Sequence, residues 1–265
     1  MNLDLSGKNA FVGGSSKGIG KAVAFELARL GANITLVGRD EQSLMQNLID
    51  LSFIGKGDQR HDYVAVDFSY PEKVKSAVER HTKKSNKIYH ILVNNTGGPA
   101  SGKIQDAQPD EFIKAFEAHV ICNQLLTKLF LEGMKKDNYG RIINIISTSV
   151  KQPLPNLGVS NTIRAAVANW AKTMANELGE FGITVNNILP GATETQRHQS
   201  LLQTRSETTG LAIEKIEAEM LKAIPLHRFG KPEEVANAVA FLASPAAAYI
   251  TGINVPVDGG RTSCL

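Results

Sequence analysis

Residues 9–27 read NAFVGGSSKGIGKAVAFEL, and the fold turns on this stretch. Asn9-Ala10-Phe11-Val12 is short, mostly apolar and uncharged, as a strand buried on both faces would be. Ile19, Val23, Leu27 and Leu30 follow at helical spacing and mark one apolar helix face. Gly13, Gly14, Gly18 and Gly20 lie between them. Glycine allows a tight turn and a close approach of backbone to a ligand. The N–H groups and positive end of the following helix then favour an anion at the turn. The spacing Gly14-x-x-x-Gly18-x-Gly20, with Ser16, Lys17 and Ile19 inside it, predicts a loop that cradles a nucleotide phosphate.

Six further apolar runs follow at intervals: 34–37, 63–66, 88–93, 142–146, 183–189 and 253–257. Helical patterns separate them, among them Ile163, Val167, Trp170, Met174 and Leu178 on one face. Strand and helix alternating end to end predict a doubly wound (Rossmann) α/β fold, a mostly parallel seven-stranded sheet with helices on both faces. The chain has 265 residues and no visible linker or repeat, so one dinucleotide-binding domain is expected over 1–265. Right-handed crossovers bring the loops after the strands to one edge, where a ligand would sit. The second strand ends in Val37-Gly38-Arg39. An acidic residue there would hold a ribose 2′-hydroxyl; Arg39 with Lys17 instead suits a 2′-phosphate. NADP(H) is therefore expected in preference to NAD(H).

Bulk properties narrow the partners. Net charge is +3, and the apolar and charged fractions, 42% and 21%, are those of an ordinary globular protein. The densest basic patch, Lys83-Lys84 with Lys87, lacks interleaved aromatics and reads as a solvated helix end, so no nucleic-acid partner is expected. Cys122 and Cys264 are far apart, which fits a reducing, cytoplasmic setting without disulfides. Cys122 reads as helix packing. Asp4 and Lys8 interrupt the place where a signal peptide would need an apolar core. Residues 235–257 carry no charge, but Asn237, Pro245, Gly252, Asn254 and Pro256 break them into a buried helix, a turn and a buried strand, so no membrane partner is expected. The histidines show no metal-ligand spacing, and no metal is expected.

The ordered landmarks make the chain similar to the short-chain dehydrogenase/reductase family over nearly its whole length. They are Gly14-x-x-x-Gly18-Ile19-Gly20, Asp67, Asn94-Asn95-Thr96-Gly97, Ser147, Pro190-Gly191 and Val257-Asp258-Gly259-Gly260. The pattern resembles the branch that includes 3-oxoacyl-acyl-carrier-protein reductases. The resemblance implies that Gly14, Gly18 and Gly20 cradle the pyrophosphate and that Asp67 binds the adenine amino group. It implies that Asn94 secures the sheet and lines the cofactor site beside Gly97. Pro190, Gly191 and Thr195 would contact the nicotinamide end. Thr96 stands where the family usually has alanine. Homotetramers or homodimers are implied, with interfaces from helices over 109–134 and 154–178.

The family's catalytic Asn, Ser, Tyr and Lys fall here on His119, Ser147, Ser160 and Arg164. One of the four is retained. A phenol starts near a pKa of about 10 and a neighbouring ammonium can bring it toward neutrality. Serine is far less acidic and shorter by a ring. Arg164 can hold ribose hydroxyls but does not give up a proton. His119 is expected on an inward face with Phe112, Phe116 and Asn123, either as a proton carrier or as a satisfied buried histidine. Ser160 and Asn161 have a second reading as caps of a helix beginning near Thr162.

These features predict an NADP(H)-dependent oxidoreductase acting on a small-molecule carbonyl or alcohol by hydride transfer, with an altered proton-donor site. Two alternatives stay open: an inactive dinucleotide-binding sensor or scaffold, and a non-redox lyase or isomerase in the same cleft. Residues 195–222 are expected to form a substrate lid. In it, Arg197, His198 and Arg205 either meet an acidic substrate or form a solvated face.

Overall fold

The computed structural model describes residues 1–55 and 57–264. Among the described residues seven parallel strands form one sheet in the order β3-β2-β1-β4-β5-β6-β7. In chain order they are β1 (Asn9–Val12), β2 (Asn33–Gly38), β3 (Asp62–Ala65), β4 (Ile91–Asn94), β5 (Gly140–Ile145), β6 (Ile183–Pro190) and β7 (Asn254–Val257). The helices are α1 (Gly18–Arg29), α2 (Glu41–Ser52), α3 (Pro71–Ser85), α4 (Pro109–Phe116), α5 (Cys122–Lys136), α6 (Gly158–Leu178), α7 (Gln196–Thr209), α8 (Ile213–Lys222) and α9 (Pro232–Ala243). The strand order reverses between β1 and β4, which opens a crevice at their carboxyl ends.

The central strands β1, β2, β4, β5 and β6 are almost wholly buried, because apolar helices cover both faces. Val23, Leu27, Val235 and Val239 fill one side, with α1 against α9. Phe11, Tyr89, Leu126, Phe130 and Met134 fill the other. Phe11, Tyr89 and Phe130 pack there in edge-to-face and tilted pairs with ring centroids 4.5–5.5 Å apart.

Three sequence expectations are corrected. β7 is an edge strand whose residues are exposed or half-buried, and no strand lies beyond it among the described residues. Lys87 is not solvated: it lies beyond the end of α3 and pairs with Asp62 at 2.8 Å. The single helix implied over 109–134 is broken at Glu117–Ile121 by one π-helical turn, in which the Cys122 N–H reaches the Glu117 carbonyl. Cys122 is fully buried and its thiol donates to the Phe68 carbonyl, as a packing role requires. No helix among the described residues is long and apolar enough to cross a membrane.

Candidate active site

The loop after β1 is stitched to its surroundings on three sides. Gly13 N–H donates to the Val93 carbonyl of β4 and Ser15 N–H to the Val37 carbonyl of β2, both at 3.0 Å. Asn47 of α2 donates to the carbonyls of Ser15 and Ser16 at 3.0 and 2.9 Å. Two glycines are required sterically. Gly14 has φ +57°, and a Cβ there would lie 2.7 Å from Asn95 Nδ2. A Cβ on Gly20 would collide with the Gly14 carbonyl. Lys17 occupies the N-cap of α1 without a capping hydrogen bond, and the first turn holds no acidic residue. By contrast, Asp40 caps α2 through the Ser43 N–H. The first N–H groups of α1 are thus left to an external acceptor, and a pyrophosphate fits that cradle.

At the end of β2, Arg39 is exposed, with Nη1 at 3.9 Å from Asp67 Oδ2. The neighbouring acid, Asp40, also accepts from the Ser43 hydroxyl at 2.7 Å, so its carboxylate is committed to α2. Its pKa is lowered first by the Ser43 side chain, and Lys17 adds to this from the glycine loop.

The four residues expected at the tetrad positions come from three places: His119 from the π-helical turn, Ser147 from the end of β5, and Ser160 and Arg164 from α6. Ser147 follows β5, is half-buried, and accepts from the Ser149 N–H at 3.1 Å. Ser160 lies in the first turn of α6, half-buried, and its hydroxyl has no hydrogen-bond partner among the described residues. The capping expectation fails, because α6 begins at Gly158 rather than near Thr162. A Cβ on Gly158 would lie 2.6 Å from Ile104 Cα, and Leu157 bridges Gly102, so tertiary contacts fix that start. Asn161 instead binds the Leu154 carbonyl at 2.9 Å.

Arg164 is buried, and Nη1 donates to the Ile145 carbonyl at 2.9 Å. Burial above all, and then Arg197, pulls its pKa down to about 10. His119 sits at the centre of the π-helical turn and is also buried. Such turns recur where a helix must re-aim a side chain at a functional site. Burial and the nearby Arg164 charge hold the imidazole well below its usual pKa, against a hydrogen bond to the Gly97 backbone. Asn123 is buried near it, whereas Phe116 is 41% exposed, so the expected shared inward face does not include Phe116.

Beyond β6, Pro190 and Gly191 lie beside β7, with Gly191 N–H donating to the Val257 carbonyl at 2.9 Å. Thr195 caps α7 through the His198 N–H, and its methyl carbon faces Gly18 of the glycine loop. Arg197 crosses to the loop after β4, where Nη2 donates to the Pro99 carbonyl at 2.6 Å. Arg205 is tied to Glu219 at 3.1 Å, and His198 is buried against the Phe229 ring. Asn95, which braces the glycine loop through the Gly13 carbonyl, and Asn144, Asn187 and Asn254 were outside the predicted site. Their signal was available: asparagines, alone or in the pairs Asn94-Asn95 and Asn186-Asn187, within or just after otherwise apolar strand runs.

A glycine loop at the switch point of a doubly wound parallel sheet, backed by an uncapped helix, defines a dinucleotide-binding α/β protein. The profile described as "Enoyl-(Acyl carrier protein) reductase" matches residues 14–262. The chain belongs to the short-chain dehydrogenase/reductase family of oxidoreductases. It is 35% identical to the 3-oxoacyl-(acyl-carrier-protein) reductase FabG of Vibrio cholerae over 260 residues, 97% of this chain and 98% of that one. It is 28% identical to the NADPH-dependent reductase BacG of Bacillus subtilis, over 98% of this chain and all of that one. The structure of L-sorbose reductase from Gluconobacter frateurii, complexed with NADPH and L-sorbose, is 33% identical with a TM-score of 0.92 over the full length of both chains.

Proposed function

We propose that the protein is an NADP(H)-dependent reductase or dehydrogenase of a small-molecule carbonyl or alcohol, with a proton-donor site unlike that of its family. The observation that carries this is the uncapped N-terminus of α1, with Arg39 and Lys17 close by and the neighbouring acid, Asp40, committed to α2. The names of the similar reductases, two of them tied to NADPH, support the same reading. In it, Gly14, Ser16, Lys17, Gly18, Ile19 and Gly20 hold the pyrophosphate, and Arg39 with Lys17 meets the 2′-phosphate. Asp67 binds the adenine. Asn94, Gly97, Pro190, Gly191 and Thr195 line the nicotinamide end, and α7 with α8 serves as the lid. The bound nicotinamide supplies or accepts the hydride.

Ser147 holds the substrate oxygen. The proton passes through solvent water placed between the hydroxyls of Ser147 and Ser160. Arg164 holds that region positive without giving up a proton. His119 stays neutral and positions the Gly97 turn. A homodimer or homotetramer completes the reading, supported by the exposed Ile113 and Phe116 on α4. A second reading, a dinucleotide sensor or scaffold, draws on the replaced tetrad positions Ser160 and Arg164.

Parallel calorimetric titrations with NADPH and NADH test the proposal. NADPH is expected to bind at least tenfold more tightly, and Arg39→Ser to erase that preference, since a charge-assisted contact contributes about 1.5–3 kcal/mol. Binding of neither nucleotide would overturn it. Tight NADPH binding without carbonyl reduction across a broad ketone and aldehyde panel would favour the sensor.

A further inference from the structure

Two guanidinium groups converge on one backbone position. A Cβ built on Gly98 would lie 3.6 Å from Arg164 Nη2 and 3.9 Å from Arg197 Nη2. The two arginines reach this point from different elements, α6 and α7. Arg164 is 8% exposed, whereas Arg197 stands at the solvent-exposed mouth. Among the described residues neither has a carboxylate within 4.0 Å. Each carries five N–H donors. Each makes a single hydrogen bond, to the Ile145 and Pro99 carbonyls respectively.

A buried cation with no counter-charge is costly, and a second cation beside it adds repulsion. The other deeply buried arginine shows how the fold treats such a group when no ligand is expected. Arg141 is wrapped by the carbonyls of Gly140 and Gly182 and lies over the Tyr139 ring at 4.1 Å. Arg164 has no such wrapping, and the Arg197 charge is one cause of its lowered pKa. The missing counter-charge is one that arrives from solution. Planar guanidinium forks match a carboxylate or phosphate oxygen pair.

We infer that Arg164 and Arg197 form a carboxylate-recognition site over Gly98, so that the substrate is an oxo or hydroxy acid. This deepens the proposed oxidoreductase reading and rests on it. The anion is assigned to the substrate rather than to a phosphate of the dinucleotide, because the Arg197 guanidinium meets the loop after β4, at Gly98 and Pro99, rather than the glycine loop, and because Arg164 lies one helical turn from Ser160. The sequence positions of Arg197, His198 and Arg205 looked alike in this respect. The fold separates them: Arg205 is paired, His198 is sealed in, and Arg197 alone of the three turns to the cleft.

The test titrates the NADP⁺-saturated protein with matched pairs: benzoylformate against acetophenone, and 2-oxobutyrate against 2-butanone. Each pair differs in replacing a carboxylate by a methyl group. At least one acid is expected to bind about tenfold or more tightly than its ketone. That preference is expected to collapse in Arg197→Met, to survive in part in Arg197→Lys, and to weaken in Arg164→Lys, while NADPH affinity in Arg197→Met stays within about twofold of the parent. Acids and ketones binding alike, or a preference that persists in Arg197→Met, would overturn the assignment. So would a tenfold loss of NADPH affinity in Arg197→Met, or inorganic phosphate displacing NADPH rather than the acid; either would give the site to the dinucleotide. Failure of NADPH to bind the parent protein sinks the oxidoreductase reading separately, and is seen in a different titration.

Discussion

Asn94 Nδ2 donates to Asn144 Oδ1 at 2.8 Å, the first rung of a side-chain ladder across four strands. Asn144 Nδ2 donates to Asn187 Oδ1, and Asn187 Nδ2 to Asn254 Oδ1, each at 2.8 Å. The rungs follow from register, because β4, β5, β6 and β7 pair with these four residues directly opposite one another. Asn144 is completely buried, so its amide has no solvent to fall back on. The ladder ties the strand end beside the glycine loop to the edge strand, and it runs under the candidate site.

Asn144→Leu keeps the side chain's approximate shape and removes both of its rungs. Asn94 Nδ2 and Asn187 Oδ1 are then left buried without partners. The expected cost is about 2–4 kcal/mol, seen as a fall in thermal midpoint of about 5–15 °C for a chain of this size. A melt within a degree or two of the parent would show that the ladder is not stabilising.

His119 sets a pH dependence whose sign is fixed. Its folded pKa lies well below about 6.5, chiefly through burial and next through Arg164. The folded protein therefore binds fewer protons there than the unfolded chain. This contribution is fully present above pH of about 6.5 and is lost progressively as pH falls below it. Urea unfolding at pH 7.5 and 5.5 is expected to show a smaller difference for His119→Asn than for the parent. The slope does not vanish, because burial also lowers His61, His90 and His198. An imidazole NMR titration showing His119 protonated near pH 6.5 would contradict this and revive it as a proton carrier.

Ser160→Tyr combined with Arg164→Lys restores a phenol beside an ammonium. Ser160 is half-buried and its hydroxyl is unbonded among the described residues, so a ring there displaces no existing contact of that group. Reduction of generic ketones with NADPH is expected to rise by about a hundredfold, the low end of what a positioned general acid provides. No gain in a double variant with parent-like circular dichroism and NADPH affinity would mean that loss of the acid is not what limits turnover.

The fold was legible because its signals are local. Strand runs such as Ile183–Pro190 and the face of Ile163, Val167 and Leu178 are written in neighbours a few residues apart. The glycine loop was legible for the same reason, with strand, turn and helix contiguous. Helix α6 began earlier than its capping residues suggested, since Ile104 and Gly102 set its start from more than fifty residues away. The π-helical turn at His119 was hidden, because one extra residue in a turn leaves an apolar helix pattern almost unchanged.

The candidate site divides along the same line. Residue order alone was enough to raise the glycine loop, Arg39, Ser160 and Arg164 as candidates, because each is an identity at a known offset from a strand. Folding alone settled the state of those groups. It buried Arg164 without a counter-charge, kept His119 neutral, turned Asp40 onto α2, and carried Arg197 across 98 residues of chain to the Pro99 carbonyl. Electrostatics and burial depend on distances in space, and a linear pattern records only distances along the chain.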